Sequence, residues 1–226
     1  PVHSIDWVES VVRSPYVIPG VTTVERVFGT SEGGLPEKVP LDLYLGVDCS
    51  GSMNNPKVNL SYPVVAGAII VLSALRTGAR VMTCLSGEMP GRFSQTNGFI
   101  RDEREILKVL TGYLGTGYAF GIKRLYDTFI VGEKPKRPAH ILIVSDSDLL
   151  YMLNSAKKGW EIAEEAAQIA GGGATACLEM RSQNNPDIAK LRSIGWTVHL
   201  VPDMSAVVTF ARAFAKMKYD HNDPKS

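Results

Sequence analysis

The chain has 226 residues and nearly balanced charge, 24 Lys+Arg against 23 Asp+Glu, with 45% hydrophobic and 21% charged residues. This composition supports a packed core in one substantial domain or two small ones, and excludes disorder, a coiled coil and a collagen-like repeat. A net charge of +1 is too small for a domain whose affinity comes mainly from neutralising phosphates, so no nucleic-acid partner is expected.

The longest apolar stretch, Val64 to Leu75, is broken by Gly67 and Ser73 and falls short of the roughly 18 residues that span a bilayer. No charged segment followed by an apolar run opens the chain, so no signal peptide is read. Beginning at Pro1 rather than Met, the chain reads as a processed protein or an excised domain. Its three cysteines, Cys49, Cys84 and Cys177, are odd in number and widely spaced without a CxxC. That pattern argues against a disulfide framework or a zinc site, and for buried thiols in a reducing cytoplasm.

Residues 1–39 follow no regular rhythm and read as an arm or linker packing on the domain. Within it, Ser4 to Val12 reads as a short helix, Tyr16 to Phe28 holds β-branched residues, and Gly29 to Pro40 is loop-like. From residue 40 strands alternate with helices. Leu41–Val47 is a strand ending in Asp48, Tyr62–Leu75 a buried helix, Arg80–Leu85 a strand, and Gly91–Ile100 holds a short edge strand. Arg101–Leu110 reads as helix, Gly112–Gly117 as a turn, and Tyr118 to about Phe129 as helix. A strand at His140–Ser145 is followed by a helix over Ser155–Ala170 that Gly171-Gly-Gly closes. Strand Thr175–Met180, helix Pro186–Ile194, strand Trp196–Val201 and helix Ser205–Met217 complete the series, and 219–226 is a polar tail. The expectation is one α/β domain over 40–218: three layers, doubly wound, with a mostly parallel sheet flanked by helices in a Rossmann-like arrangement.

Open sheets of this kind bind ligands beyond the carboxyl ends of their strands. There the chain offers Asp48-Cys-Ser50-Gly-Ser52, Thr116 between two glycines, and Asp146 in Ser145-Asp-Ser147-Asp148. Two carboxylates and three hydroxyls are all hard oxygen donors, a set that suits Mg²⁺, with Mn²⁺ or Ca²⁺ as substitutes. Alternation in Asp48-x-Ser50-x-Ser52 lets one tight turn aim three side chains at a common point.

In order, spacing and strand context these residues resemble the metal-ion-dependent adhesion site of the von Willebrand factor A domain family. The resemblance covers roughly Pro40 to Met217. It implies that Ser50 and Ser52 bind the ion directly and that Thr116 joins directly or through water. Asp48 and Asp146 would act mainly through water and hydrogen bonds, though Asp146 could also coordinate directly, and a partner's Glu or Asp would complete the coordination. Two departures stand out: Ser147 replaces the family's glycine, and Asp148 adds negative charge. The absence of a secretion signal and of disulfides resembles the intracellular prokaryotic branch, whose members often act with AAA+ ATPases of the MoxR or chelatase type in cofactor insertion or complex assembly.

Other readings carry less. Gly115-Thr-Gly117-Tyr-Ala-Phe-Gly121 has one spacing too long for a dinucleotide fingerprint, and no GxxxxGK[ST] occurs. An aspartyl phosphatase would need a second acid two residues after Asp48, where Ser50 stands; no enzymatic activity is expected. An extracellular adhesion module is the rival binding class. His140, His199, Trp160 and Trp196 read as packing residues and Lys157-Lys158 as a solvated helix face. Met53 and Tyr118 belong either to the rim of the binding face or to the core.

Overall fold

In the run Asp42–Val47 every residue is buried. A strand buried on both faces belongs in the middle of a parallel sheet covered by helices. The computed structural model describes residues 39–86, 94–115, 122–133, 135–182 and 184–219, together with the backbone of 5–6 and 24–25. The chain divides into two compact units, Pro1–Lys38 and Val39–Ser226. In the first, β1 (Ile5–Asp6) pairs antiparallel with β2 (Val24–Glu25). Ile5 and Asp6 are thus extended, where the sequence suggested helix; the remainder of that proposed helix lies outside the described residues.

The second unit holds β3 (Asp42–Val47), α1 (Tyr62–Arg76), β4 (Val81–Leu85), α2 (Glu103–Leu110), α3 (Ile122–Leu125, continued by a π-helical turn over Tyr126–Val131) and β5 (Ala139–Asp146). It continues with α4 (Asp148–Ser155), α5 (Gly159–Ala170), β6 (Gly171–Glu179), α6 (Pro186–Ser193), β7 (Trp196–Val201) and α7 (Ala206–Tyr219). The five strands run in the order β4-β3-β5-β6-β7, and every neighbouring pair is parallel. Residues 94–100 touch the outer edge of β4 through antiparallel bridges at Gln95 and Ile100, the edge segment expected there. The protein has a three-layer, Rossmann-like α/β fold.

Alternating side chains along each strand feed two cores. Leu43, Leu45 and Val47 of β3 join α1, α2 and α7 on one face, while Tyr44 of β3 with Ile141 and Ile143 of β5 joins α3, α4, α5 and α6 on the other. All three thiols are free and buried, and burial pushes those of Cys49 and Cys84 up to about 11 and that of Cys177 to about 12.

A helix not expected from the sequence, α4, precedes the expected one. The sequence suggested a helix over 155–170, but α5 begins only at Gly159, and α4 ends at Ser155 with Lys157 and Lys158 exposed in the turn between the two. Lys158 adopts the left-handed conformation, φ 61°. A Cβ on Gly159 would fall 2.3 Å from the Leu153 carbonyl oxygen, so the two helices approach this closely only because the side chain is missing. At the other end of α5, Gly171 caps the helix and already begins β6, which is longer than the sequence suggested. Tyr219 is the buried last residue of α7 rather than the start of a polar tail.

Candidate metal centre

From β3 the chain goes outward to β4 on one side and returns to β5 on the other. The reversal leaves a crevice at the carboxyl ends of β3 and β5, where open α/β sheets place their ligands. Asp48 follows β3 and Asp146 ends β5, so the two candidate carboxylates stand on either side of this point.

A chain of short oxygen contacts links them. The Ser50 and Ser52 hydroxyls lie 2.9 Å apart, and Ser52 Oγ donates to Asp146 Oδ2 at 3.1 Å. Asp48 holds the turn from beneath: Oδ1 accepts the Ser50 N–H at 2.8 Å and the Ser86 hydroxyl at 3.4 Å. Its Oδ2 accepts the Ser145 hydroxyl at 2.8 Å. The Tyr113 hydroxyl donates to the carbonyls of Ser50 and Met53 at 3.3 and 3.1 Å, and Gly115 N–H donates to Cys49 O at 3.0 Å. Those bonds tie the segment leading to Thr116 against the loop. Thr116 and Tyr118 lie outside the described residues. Cys49 turns away from the cluster, its thiol donating to the Ser86 carbonyl at 2.7 Å.

Asp146 is seated at the first turn of α4, where its Oδ1 accepts the Asp148 N–H at 2.8 Å. Ser147 occupies the N-cap position but makes no side-chain cap bond; the preceding aspartate serves instead, as the positive end of the helix dipole favours. Burial raises the Asp48 carboxyl above its ordinary range; hydrogen bonds from Ser50 and Ser145 partly oppose this, and the nearby Asp146 charge adds to it. Asp148 is also raised, first by burial and then by Asp146. Among the described residues, none of the ion pairs involves these carboxylates.

The donors fit a small hard cation. At the Mg–O distance of roughly 2.05 Å, neighbouring oxygens of an octahedron lie about 2.9 Å apart; at the longer Ca–O distance they lie about 3.4 Å apart. The 2.9 and 3.1 Å contacts therefore leave Ser50, Ser52 and Asp146 nearer the Mg²⁺ spacing, which is also that of a hydrogen bond. Among the described residues no three His, Cys, Asp or Glu side chains converge, so any ion here depends on the serine hydroxyls.

Three residues absent from the sequence-based site also belong to this end of the sheet. Ser86 and Ser145 donate to Asp48, and Glu179, the last residue of β6, is in register with Asp146. Ser86 and Glu179 occupy strand ends, so the rule that found Asp48 also reaches them. A groove of about 400 Å³ runs from Ser52 and Asp146 past Met53 and Tyr62 to Glu179 and Met204.

No family model matches the chain, and no curated protein matches it. Among solved structures, it is similar to proximal thread matrix protein 1 (PTMP1) from the mussel byssus, in two crystal forms, each with a TM-score of 0.52 and 12% identity. The match covers 79% of this chain and 48% or 47% of that one, so this chain spans about half the length of the protein it resembles. At that identity the likeness establishes a shared fold.

Proposed function

We propose that the chain is a non-enzymatic, divalent-cation-dependent protein-interaction domain of the von Willebrand factor A type. The observation that carries this reading is the continuous oxygen path Ser50–Ser52–Asp146 at the strand-order reversal, with Asp48 fixing the turn beneath it. Ser50, Ser52 and Asp146 would hold the ion, joined by Thr116, and Asp48 would orient the loop without spending an oxygen on the metal. A bound Mg²⁺ supplies a coordination position that a partner's Glu or Asp carboxylate can complete. With only two carboxylates among the five residues, the ion keeps enough positive charge to draw in that external anion.

The arrangement of Asp48 supports binding over phosphoryl transfer. It is 3% exposed and both its oxygens already accept hydrogen bonds, which is poor placement for a nucleophile. The narrower reading makes the partner an AAA+ ATPase of the MoxR type and the compartment the cytoplasm. Three free, buried thiols accord with that compartment, and among the described residues no helix is long and apolar enough to cross a membrane.

Calorimetric titration of Mg²⁺ or Mn²⁺ into the wild type and Asp48→Ala tests the reading. Saturable uptake by the wild type and its loss in a variant with unchanged circular dichroism is expected. Absence of uptake by the wild type, or equal uptake by both proteins, refutes it.

A further inference from the structure

The two edges of the sheet are finished differently. Residues 94–100 cover the outer side of β4, whereas among the described residues no strand pairs with the outer side of β7. Along a strand the N–H and C=O of one residue point to the same side, and successive residues alternate. The Val201 carbonyl accepts the Met180 N–H just beyond β6, so Val201, His199 and Thr197 face β6. Trp196, Val198 and Leu200 therefore turn their N–H and C=O groups outward. The Arg192 side chain agrees with this parity: its Nη2 donates to the Val198 carbonyl at 3.3 Å, where the N–H of a further strand would bond. Such an edge is a template for pairing with another chain. Its surroundings are basic. α6 packs on the Trp196 and Val198 face of β7 and α7 on the His199 face. Together these helices carry five Lys and Arg against one acid, Asp187, while the whole chain has a net charge of only +1. Asp187 is turned the other way, toward α4, where it accepts from Asn154 at 2.7 Å. The α7 face of the edge is apolar: Phe210 lies 5.0 Å from the exposed His199 ring, and Met217, 66% exposed, follows two turns later on the same stripe.

We infer that the outer edge of β7 accepts an extended segment of a partner protein as a sixth strand, and that this segment alternates acidic with apolar side chains. The segment's backbone pairs with the outward groups of Trp196, Val198 and Leu200, as in strand addition to other open sheets. Arg192, displaced from the Val198 carbonyl, turns to a carboxylate on the α6 face. Side chains at the intervening positions point to the opposite face and lie against Phe210 and Met217. Charge selects this occupant over a second copy of the chain. Two β7 strands paired antiparallel about Val198 would bring two Arg192 guanidiniums together, whereas an acidic segment answers the basic excess of the flanking helices. The site lies at the sheet edge and does not depend on the reading of the metal centre.

The test uses the isotope-labelled full chain and a capped hexapeptide of alternating Glu and Val. No divalent ion is added, so the candidate metal centre does not compete for the carboxylates. The dissociation constant is measured by resonance titration, and backbone hydrogen exchange is then followed with peptide at about ten times that constant. Exchange of the Trp196, Val198 and Leu200 amides is expected to slow about tenfold, because it proceeds only from the small unbound fraction. The Thr197 and His199 amides, already bonded to β6, should not change. Replacing Glu by Gln in the peptide, or Arg192→Ala in a protein of unchanged circular dichroism, is expected to weaken binding about threefold, the scale of exposed charge pairs. No binding of the Glu/Val peptide, or binding that leaves those three amides unprotected, overturns the inference. So does equal or tighter binding by the Gln/Val peptide or by Arg192→Ala, which would make Arg192 a cover for the edge. Protection of the same amides on raising the protein concentration without peptide would assign the edge to a second copy and overturn it as well.

Discussion

His140 makes the stability of this domain acid-sensitive through the end of the sheet remote from the candidate metal centre. It sits near the start of β5, 3% exposed, with Nδ1 2.7 Å from the Gly172 carbonyl and Nε2 2.9 Å from the Thr175 hydroxyl. A carbonyl can only accept, so Nδ1 carries the proton and Nε2 accepts from Thr175. The ring also lies 5.3 Å from that of Phe214 on α7. Burial, reinforced by the Lys218 charge and opposed by the Gly172 carbonyl, lowers the imidazole from 6.5 to about 4. As pH falls, the unfolded chain therefore takes up this proton before the folded one does. Stability from this group is complete above pH 6.5 and is lost progressively down to pH 4. At 1.36 kcal/mol per pKa unit the full loss is about 3 kcal/mol, of which about 2 kcal/mol has gone by pH 5. Urea denaturation at pH 8 and pH 5 on the wild type and His140→Asn measures it. Asn can still donate to Gly172 O but does not titrate, so any packing loss appears at both pH values and cancels. The wild type should lose about 2 kcal/mol more than the variant between the two conditions. Equal losses in both proteins would refute the reasoning.

Two further perturbations test the packing of the fold itself. Asp42 is fully buried, and Arg80 donates to it from Nε at 3.0 Å, Nη2 at 2.6 Å and its backbone N–H at 2.8 Å. Arg80→Ala should cost about 3 kcal/mol in chemical denaturation, at the low end for an orphaned buried charge because the backbone donor stays and the guanidinium side is partly solvated; a loss under about 1 kcal/mol would show that the pair contributes little. Gly159→Ala places a carbon against the Leu153 carbonyl and should lower stability by about 2 kcal/mol through displacement of the α4–α5 turn. An unchanged thermal midpoint would mean that the turn yields freely.

Strand ends proved more legible than helix boundaries, and the reason is physical. Asp48 and Asp146 each follow an apolar run long enough to fix where the strand stops, so their place at the sheet edge follows from local pattern alone. Glu179 obeys the same rule, but it falls inside the interval read as a strand and resembles no known site position. Only its register with Asp146 across β5 and β6, a long-range relation, makes it significant. α4 was not read from the sequence, and the helix after it starts at Gly159 rather than at Ser155. The signal was Gly159, whose need to be glycine depends on a carbonyl six residues earlier. Gly171-Gly-Gly was half legible: the helix does stop there, yet the glycines also begin β6. Gly172 lies so close to β5 that a Cβ would sit 2.5 Å from the Ala139 carbonyl oxygen, and no residue-by-residue propensity contains that contact.

The two ends of the sheet treat buried charge in opposite ways. At the start of the strands, Asp42 has Arg80 and His140 has Gly172 and Thr175, so both of these groups meet a partner from the same chain. At the far end, Asp48 is nearly as buried, yet burial raises its carboxyl and the Asp146 charge pushes it in the same direction. Hydroxyls and N–H groups hold these acids in place without neutralising them. Folding gains nothing from that deficit, because desolvated like charges weaken the native state. The other end shows that the same fold accommodates an arginine against a buried aspartate. Among the described residues no base forms an ion pair with Asp48 or Asp146, and that is the deficit the proposed cation would offset. Ser50, Ser52 and Asp146 present hard oxygens to that position, the donor type that a small divalent cation takes, so under the proposed reading the ion supplies at this end of the sheet what Arg80 supplies at the other.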